Sequence, residues 1–294
     1  MAKVKSVIQL LRVQQWLKNT FLFLPIFFGL RITQTDLLIN TFYAFLGFSF
    51  IASAIYIFND WLDIEADKLH PKKKDRPMAC GKISKRTALL LLLILMVAGL
   101  SIFIIKIDNT LAYALIGFYI IQNFLYTVKL KNIAIVDVTI IALGFVIRIL
   151  IGGAVSNTPL SQWIIIMTFL LALFLALAKR RDDVLIFMSS GNQTRKNIHG
   201  YNLEFLNASM VIMASIVIVS YIMYATSADV TRRLGDYIYL TTFFVIIGLI
   251  RYLQITFVKN KSGSPTKVLL SDMFLKLLIA GWITSFAVSL YINI

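Results

Sequence analysis

The sequence predicts an all-α integral membrane protein with nine transmembrane helices, its N-terminus in the cytoplasm and its C-terminus outside. Three observations carry that prediction. Hydrophobic residues make up 59% of the 294 residues and charged residues only 15%, with a mean hydropathy of +0.82, too little polar surface to coat a water-soluble globule of this size. Apolar stretches of about 20 residues, the length a helix needs to cross roughly 30 Å of hydrocarbon, recur along the chain. Lys and Arg gather in alternate loops, as the positive-inside tendency requires of cytoplasmic segments.

The expected spans run over about 15–30, 37–58, 87–105, 110–128, 133–155, 163–178, 205–224, 237–258 and 273–291. Pro25 should kink the first, the sixth is short, and the eighth carries Arg251 near one end. Cytoplasmic placement of the N-terminus gathers Lys3, Lys5, Arg12 and Lys18, the run from Lys68 to Arg86, Lys129 and Lys131, Lys179 to Arg181, Arg195 and Lys196, and Lys259, Lys261 and Lys267 on one side. The other loops keep only Arg31, Lys106, Arg232 and Arg233. Two cytoplasmic segments are long, 59–86 and 179–204, so function should concentrate on that face. They follow spans two and six, a faint hint of a four-helix repeat inside a single domain over 1–294.

Composition also excludes chemistries. The lone Cys80 rules out an internal disulfide, and His70 and His199 are too few for an all-histidine metal cage. A net charge of +15 in a membrane protein points to bilayer lipid headgroups and phosphorylated substrates rather than to nucleic acid. The basic segment before the first span shows no small-residue cleavage site, so no cleavable signal peptide is expected.

The most informative stretch follows the second span: Asn59-Asp60-Trp61-Leu62-Asp63-Ile64-Glu65-Ala66-Asp67. If the helix continues, offsets of three, four and seven put Asp60, Asp63 and Asp67 on one stripe with Asn59 beside Asp63, and Glu65 elsewhere. Stacked carboxylates repel unless a cation intervenes. Mg²⁺, a hard oxygen-seeking ion that keeps positions open for diphosphate oxygens, fits Asn59, Asp60, Asp63 and Asp67 as ligands. The alternative is a solvated helix end whose acids pair with neighbouring lysines. Downstream, Pro71, Pro77 and Gly81 shape a loop whose Lys72 and Arg76 are candidate phosphate contacts, Arg76 above all because Asp75 and Pro77 flank it. Lys72, Lys73 and Lys74 could equally do no more than touch lipid.

These residues resemble the UbiA superfamily of intramembrane transferases, and the resemblance runs along most of the chain. It implies nine helices and a cytoplasm-facing Mg²⁺-diphosphate cavity. Gln15-Trp16-Leu17-Lys18-Asn19, the 59–77 segment, Ile147-Arg148-Ile149-Leu150-Ile151-Gly152-Gly153, Ala178-Lys179-Arg180 and Thr194-Arg195-Lys196 are together similar to its decaprenyl-phosphate phosphoribosyltransferase branch. That similarity implies a 5-phosphoribosyl 1-diphosphate donor and a polyprenyl phosphate acceptor. Members that prenylate aromatic rings carry a second acidic motif after span six. This chain has Lys179-Arg180-Arg181-Asp182-Asp183 there, so a lysine replaces the first acid and only Asp183 keeps the carboxylate four residues on. Lysine cannot hold Mg²⁺ but can hold a phosphate, which makes Lys179 the candidate for the donor's 5-phosphate, with Arg180 and Asp183 as further substrate-binding candidates. An ordinary positive-inside cluster is the plainer alternative.

Two charges fall in the fifth span, where each costs roughly 2.5 to 3.5 kcal/mol on insertion scales. Asp137, Ile141, Gly144, Arg148 and Gly152 share a stripe that must face the bundle interior. Asp137 and Arg148 are about 16 Å apart along the helix and cannot pair. Asp137 is expected level with the site, whereas Arg148 lies deeper, where a structural role neutralised by carbonyls or another acid competes with substrate binding. Lys18, Tyr126 and Lys129 are rim candidates, with Trp16 and Tyr126 readable as interfacial aromatics. The reaction expected is Mg²⁺-dependent phosphoribosyl transfer to a polyprenyl phosphate at the cytoplasmic face of the cell membrane, with an apolar lateral groove admitting the lipid. Asp60, Asp63 and Lys179 are the catalytic candidates. Aromatic prenylation and a cation-binding transporter or scaffold stay open, as does a homo-oligomer.

Overall fold

The structure, a computed structural model, describes residues 2–29, 31–69, 73–191, 195–260 and 265–292. By its internal contacts the chain divides into two units, Met1–Leu160 and Ser161–Ile294. In the first, α1 (Ala2–Leu11) leads through a 3-10 segment (Val13–Phe23) to α2 (Leu24–Phe28), α3 (Thr35–Leu62), α4 (Ile64–Leu69), α5 (Lys85–Lys106), α6 (Thr110–Val128) and α7 (Val136–Val155). The second holds α8 (Gln162–Ser190), α9 (Leu203–Ala225), α10 (Ala228–Leu234), α11 (Thr242–Phe257), α12 (Pro265–Ser271) and α13 (Met273–Ile292). Short polar side chains set the helix starts. Ser84 Oγ accepts from the Thr87 amide at 3.2 Å, Asn109 Oδ1 from Ala112 at 3.0 Å and Asn202 Oδ1 from Phe205 at 2.7 Å. Gly191, at φ 67°, closes α8.

Among the described residues seven helices are long and apolar enough to cross a membrane: α3, α5, α6, α7, α8, α9 and 236–257, where a 3-10 turn runs into α11. They match the second to eighth expected spans. The sixth is longer than expected, because Lys179 to Asp183 continue the helix to Ser190. The expected ninth is α13, whose Met273–Ser289 stretch is a shorter apolar helix. Asp272 starts it by accepting from the Leu275 amide at 3.0 Å, and hydrogen bonds from Arg251 hold the Asp272 carboxyl below the usual carboxylate range.

The first expected span differs most. Instead of one helix kinked at Pro25, 13–23 is a 3-10 helix, and Pro25 lies in the first turn of α2, where a missing N–H goes unneeded. Three residues per turn put Trp16, Asn19 and Leu22 on one edge. That edge is the packed one: Trp16 Nε1 donates to Ser53 Oγ at 3.0 Å, Asn19 Nδ2 to Ser49 Oγ at 2.9 Å, and Leu22 is fully buried. Gly152 of α7 makes the closeness possible, since a Cβ there would lie 2.2 Å from the Leu22 carbonyl oxygen. The chain turns into this segment at Arg12, a non-glycine residue at φ 51° and ψ 45°.

Small residues also bring α3 and α5 together. A Cβ on Gly99 would meet the Gly47 carbonyl oxygen at 2.7 Å, and Phe48, Ile51, Phe103, Ile116 and Ile151 fill the core around that contact. A buried face on α3 is thereby anchored just below the carboxylates.

Candidate active site

The carboxylate stripe survives a break in the helix. α3 ends at Leu62 and Asp63 caps it, yet the Asp63 amide still donates to Asn59 O at 3.0 Å and the Asp67 amide to Asp63 O at 2.8 Å, which preserves the pitch into α4. Asp60 and Asp67 are buried, each 3% exposed. Glu65 points away and pairs with Lys68 at 2.9 Å.

Cations meet the stripe. Arg12 Nη2 reaches Asp60 Oδ1 at 2.5 Å, and Arg76 Nη1 reaches the same oxygen at 3.0 Å and Asp67 Oδ2 at 2.6 Å. Lys131 Nζ lies 2.6 Å from Asp63 Oδ1, while Asp63 Oδ2 accepts from Asn59 Nδ2 at 3.2 Å. Arg76 occupies the expected position between the prolines. Arg12 and Lys131 were legible only as members of the cytoplasmic charge excess, because their partners lie 48 and 68 residues away in sequence.

The donor set suits Mg²⁺. Arg76 Nη1 marks a point where one cationic centre is held by two carboxylates from successive helices. Among the described residues no group of three or more His, Cys, Asp or Glu side chains is placed to hold a metal ion. Mg²⁺ does not require one, since it commonly takes one or two carboxylates and fills its other positions with water and phosphate oxygens.

The remaining first-unit candidates separate by depth. Lys18, half-buried on the 3-10 segment, lies within electrostatic reach of the Tyr56 hydroxyl, as do Arg12 and Arg148. Tyr126 is half-buried, Lys129 is exposed where α6 ends, and Lys72 lies outside the described residues. Asp137 is fully buried in the first turn of α7. Arg148 is buried and tied down by carbonyl and side-chain oxygens rather than by an acid. It donates from Nε to Asn19 Oδ1 at 2.9 Å, from Nη1 to Gly144 O at 2.5 Å and from Nη2 to Tyr119 OH at 3.1 Å, against the Phe48 ring at 4.8 Å. The expected interior stripe of α7 is therefore real, and its arginine binds the 3-10 segment to α6 and α7.

In the second unit, α8 sorts its basic cluster by face. Lys179 is exposed; Arg180 is fully buried and pairs with Asp183 at 2.7 Å, and Arg195 reaches the same carboxylate oxygen at 3.1 Å. Arg181 binds Asn207 Oδ1 at 2.8 Å and Thr256 O at 2.7 Å, joining α8 to α9 and α11.

An apolar groove of about 160 Å³ lies between α3, α5 and α6, lined by Ala54, Ile55, Phe58, Leu92, Met96, Ile120 and Phe124. Phe58 is the last groove residue on α3; at 100° per residue it faces away from Asp60 and Asp67, so the groove and the carboxylate stripe lie on different sides of the helix.

Known proteins resemble this chain along almost its whole length. The chain is 29% identical over 290 residues to the decaprenyl-phosphate phosphoribosyltransferase of Corynebacterium glutamicum, covering 98% of this chain and 87% of that protein. It is 29% identical over 302 residues to the decaprenyl-phosphate phosphoribosyltransferase of Mycolicibacterium smegmatis, covering 99% and 94%. A UbiA homolog from Archaeoglobus fulgidus, solved bound to GPP and Mg²⁺, shares the fold with a TM-score of 0.71 at 19% identity, over 97% of this chain and 99% of that one. The profile of the UbiA prenyltransferase family matches residues 22–278, across both units, and with its apolar helices and carboxylate face the chain belongs to that family.

Proposed function

We propose that this multi-pass membrane transferase moves a 5-phosphoribosyl group from 5-phosphoribosyl 1-diphosphate to a decaprenyl-like polyprenyl phosphate, releasing diphosphate. The observation that carries the reading is the meeting of Asp60 and Asp67 on the Arg76 guanidinium, a point that holds positive charge amid further arginine and lysine. Donor and acceptor class follow from near full-length similarity to the two phosphoribosyltransferases.

Asn59, Asp60, Asp63 and Asp67 would hold Mg²⁺, which when bound neutralises charge on the departing diphosphate. Arg76 and Lys18 present donors to phosphate oxygens, Tyr126 and Lys129 complete the polar rim, and Asp137 lies buried at the start of α7. Lys179, with the Arg180–Asp183 pair behind it on α8, takes the 5-phosphate and so positions the ribose. An oxygen of the acceptor phosphate forms the new bond to the anomeric carbon as the bond to diphosphate breaks. The acceptor is already an anion, so no general base is required. An apolar lateral groove between helices admits the lipid from the bilayer. Nine spans, with the N-terminus in the cytoplasm and the C-terminus outside, place this chemistry at the cytoplasmic face of the cell membrane.

The test is incubation of purified protein with Mg²⁺, labelled 5-phosphoribosyl 1-diphosphate and polyprenyl phosphate, followed by lipid extraction. Label should enter the lipid phase only when all three are present. Transfer of a prenyl group to a hydroxybenzoate, with no ribosyl transfer, would reject the reading in favour of aromatic prenylation.

A further inference from the structure

We infer that Arg12 is a donor-binding residue that closes the carboxylate face to a bare divalent cation and admits metal and diphosphate only as a pair. The inference rests on the proposed metal role of the Asp60 face. Nothing in the reading of that face requires Arg12, which reaches it from the turn between α1 and the 3-10 segment.

The geometry is unusual in three respects. Asp60 Oδ1 takes two guanidinium groups at once, Arg12 at 2.5 Å and Arg76 at 3.0 Å. Arg12 holds a left-handed backbone, φ 51° and ψ 45°, a strained conformation for a non-glycine residue that persists only where its surroundings enforce it. In the same position its guanidinium also lies 4.9 Å above the Tyr56 ring, one turn before Asp60 on α3. At 21% exposed, the side chain has access to an incoming ligand.

Charge decides what such a face accepts. Arg12, Arg76 and Lys131 already balance Asp60, Asp63 and Asp67. A lone divalent cation must displace guanidinium groups from buried carboxylates and leave them without an anion, close to the further positive charge of Lys18 and Arg148. Diphosphate removes that penalty. Its oxygens give Arg12 and Arg76 forked, charge-assisted contacts to replace the ones surrendered, while the metal takes over the carboxylates. Metal and diphosphate must then strengthen each other's binding by the same factor.

The experiment measures Mn²⁺ binding by electron paramagnetic resonance to the full chain in detergent, with and without inorganic diphosphate, for wild type, Arg12→Gln and Arg12→Lys. In wild type, diphosphate should tighten Mn²⁺ binding by at least about tenfold. Arg12→Gln should bind Mn²⁺ alone about tenfold more tightly than wild type and gain several-fold less from diphosphate. If Arg12→Gln keeps wild-type helicity and unfolding temperature yet binds Mn²⁺ alone as weakly as wild type, the inference is overturned. If Arg12→Gln does not fold, Arg12→Lys decides: its single ammonium group should lower the coupling, and undiminished coupling overturns the inference. Wild type that binds no Mn²⁺ even with diphosphate instead rejects the metal reading of the Asp60 face, and the inference with it.

Discussion

Asp63 offers the cleanest probe of the carboxylate face, because it is partly exposed and its tie to Lys131 leaves the Asp60–Arg76–Asp67 contacts in place. Asp63→Asn keeps the volume and removes the charge, so kcat/KM for phosphoribosyl transfer should fall at least about a hundredfold, on the order of 3 kcal/mol, at normal expression. Glu65→Gln, off the stripe and paired only with Lys68, should stay within a few-fold of wild type. Equal activity of Asp63→Asn and wild type would remove the metal assignment. Adjacent residues on α8 should behave in opposite ways. Lys179→Ala removes an exposed cation, so it should raise the donor KM by roughly 1.5 to 3 kcal/mol of phosphate contact while the protein still folds. Lys179→Asp should be worse, by setting a like charge against the phosphate. If the aspartate variant bound the donor most tightly, a restored acidic motif would favour a prenyl diphosphate donor instead. Arg180→Ala strips the buried partner from Asp183 and should appear as lost expression or a lowered unfolding temperature, about 3 to 5 kcal/mol for breaking a buried pair.

The 3-10 segment makes the site's geometry depend on a contact far from the carboxylates. Gly152→Ala would push a methyl into the Leu22 backbone, which cannot yield as a flexible side chain can. About 1 to 3 kcal/mol of stability should be lost, read as an unfolding temperature in detergent, together with a raised donor KM as Lys18 and Arg12 shift with the segment. An unchanged KM in a destabilised Gly152→Ala would separate this packing from the site. Arg148 is the polar half of the same joint, binding Asn19, Gly144 and Tyr119 together. How much of this was legible in the sequence follows from the range of each interaction. The stripe of Asp60, Asp63 and Asp67, the interior face of α7 and most apolar helices are local periodicities, and 3.6-residue spacing exposes them directly. The 3-10 form of 13–23 was not readable, because it follows from burial of Trp16, Asn19 and Leu22 against helices distant in sequence. Arg12 and Lys131 were hidden for the same reason. Charge excess says which side of a membrane a cation occupies but not which carboxylate it meets.

A membrane transferase working on a water-soluble sugar diphosphate and a lipid must be oriented, and this chain carries its own reporter of orientation. Cys80 is the one cysteine in the sequence, and its thiol is exposed four residues after Arg76. The positive-inside pattern predicts that the 59–86 segment is cytoplasmic, on the side where a phosphorylated sugar is retained by its charge. A membrane-impermeant maleimide should therefore label Cys80 in inverted vesicles and leave it unmodified in sealed, right-side-out cells, with detergent-solubilised protein as the fully reactive control. No substitution is needed, so altered folding cannot account for the outcome. Labelling in intact cells and protection in inverted vesicles would reverse the topology, set Arg76 and the carboxylates outside, and leave the proposed donor on the wrong side of the bilayer. The same vesicles give a functional check: donor added to inverted vesicles should be consumed without permeabilisation, because its diphosphate meets the Asp60 face from the side on which Cys80 reacts.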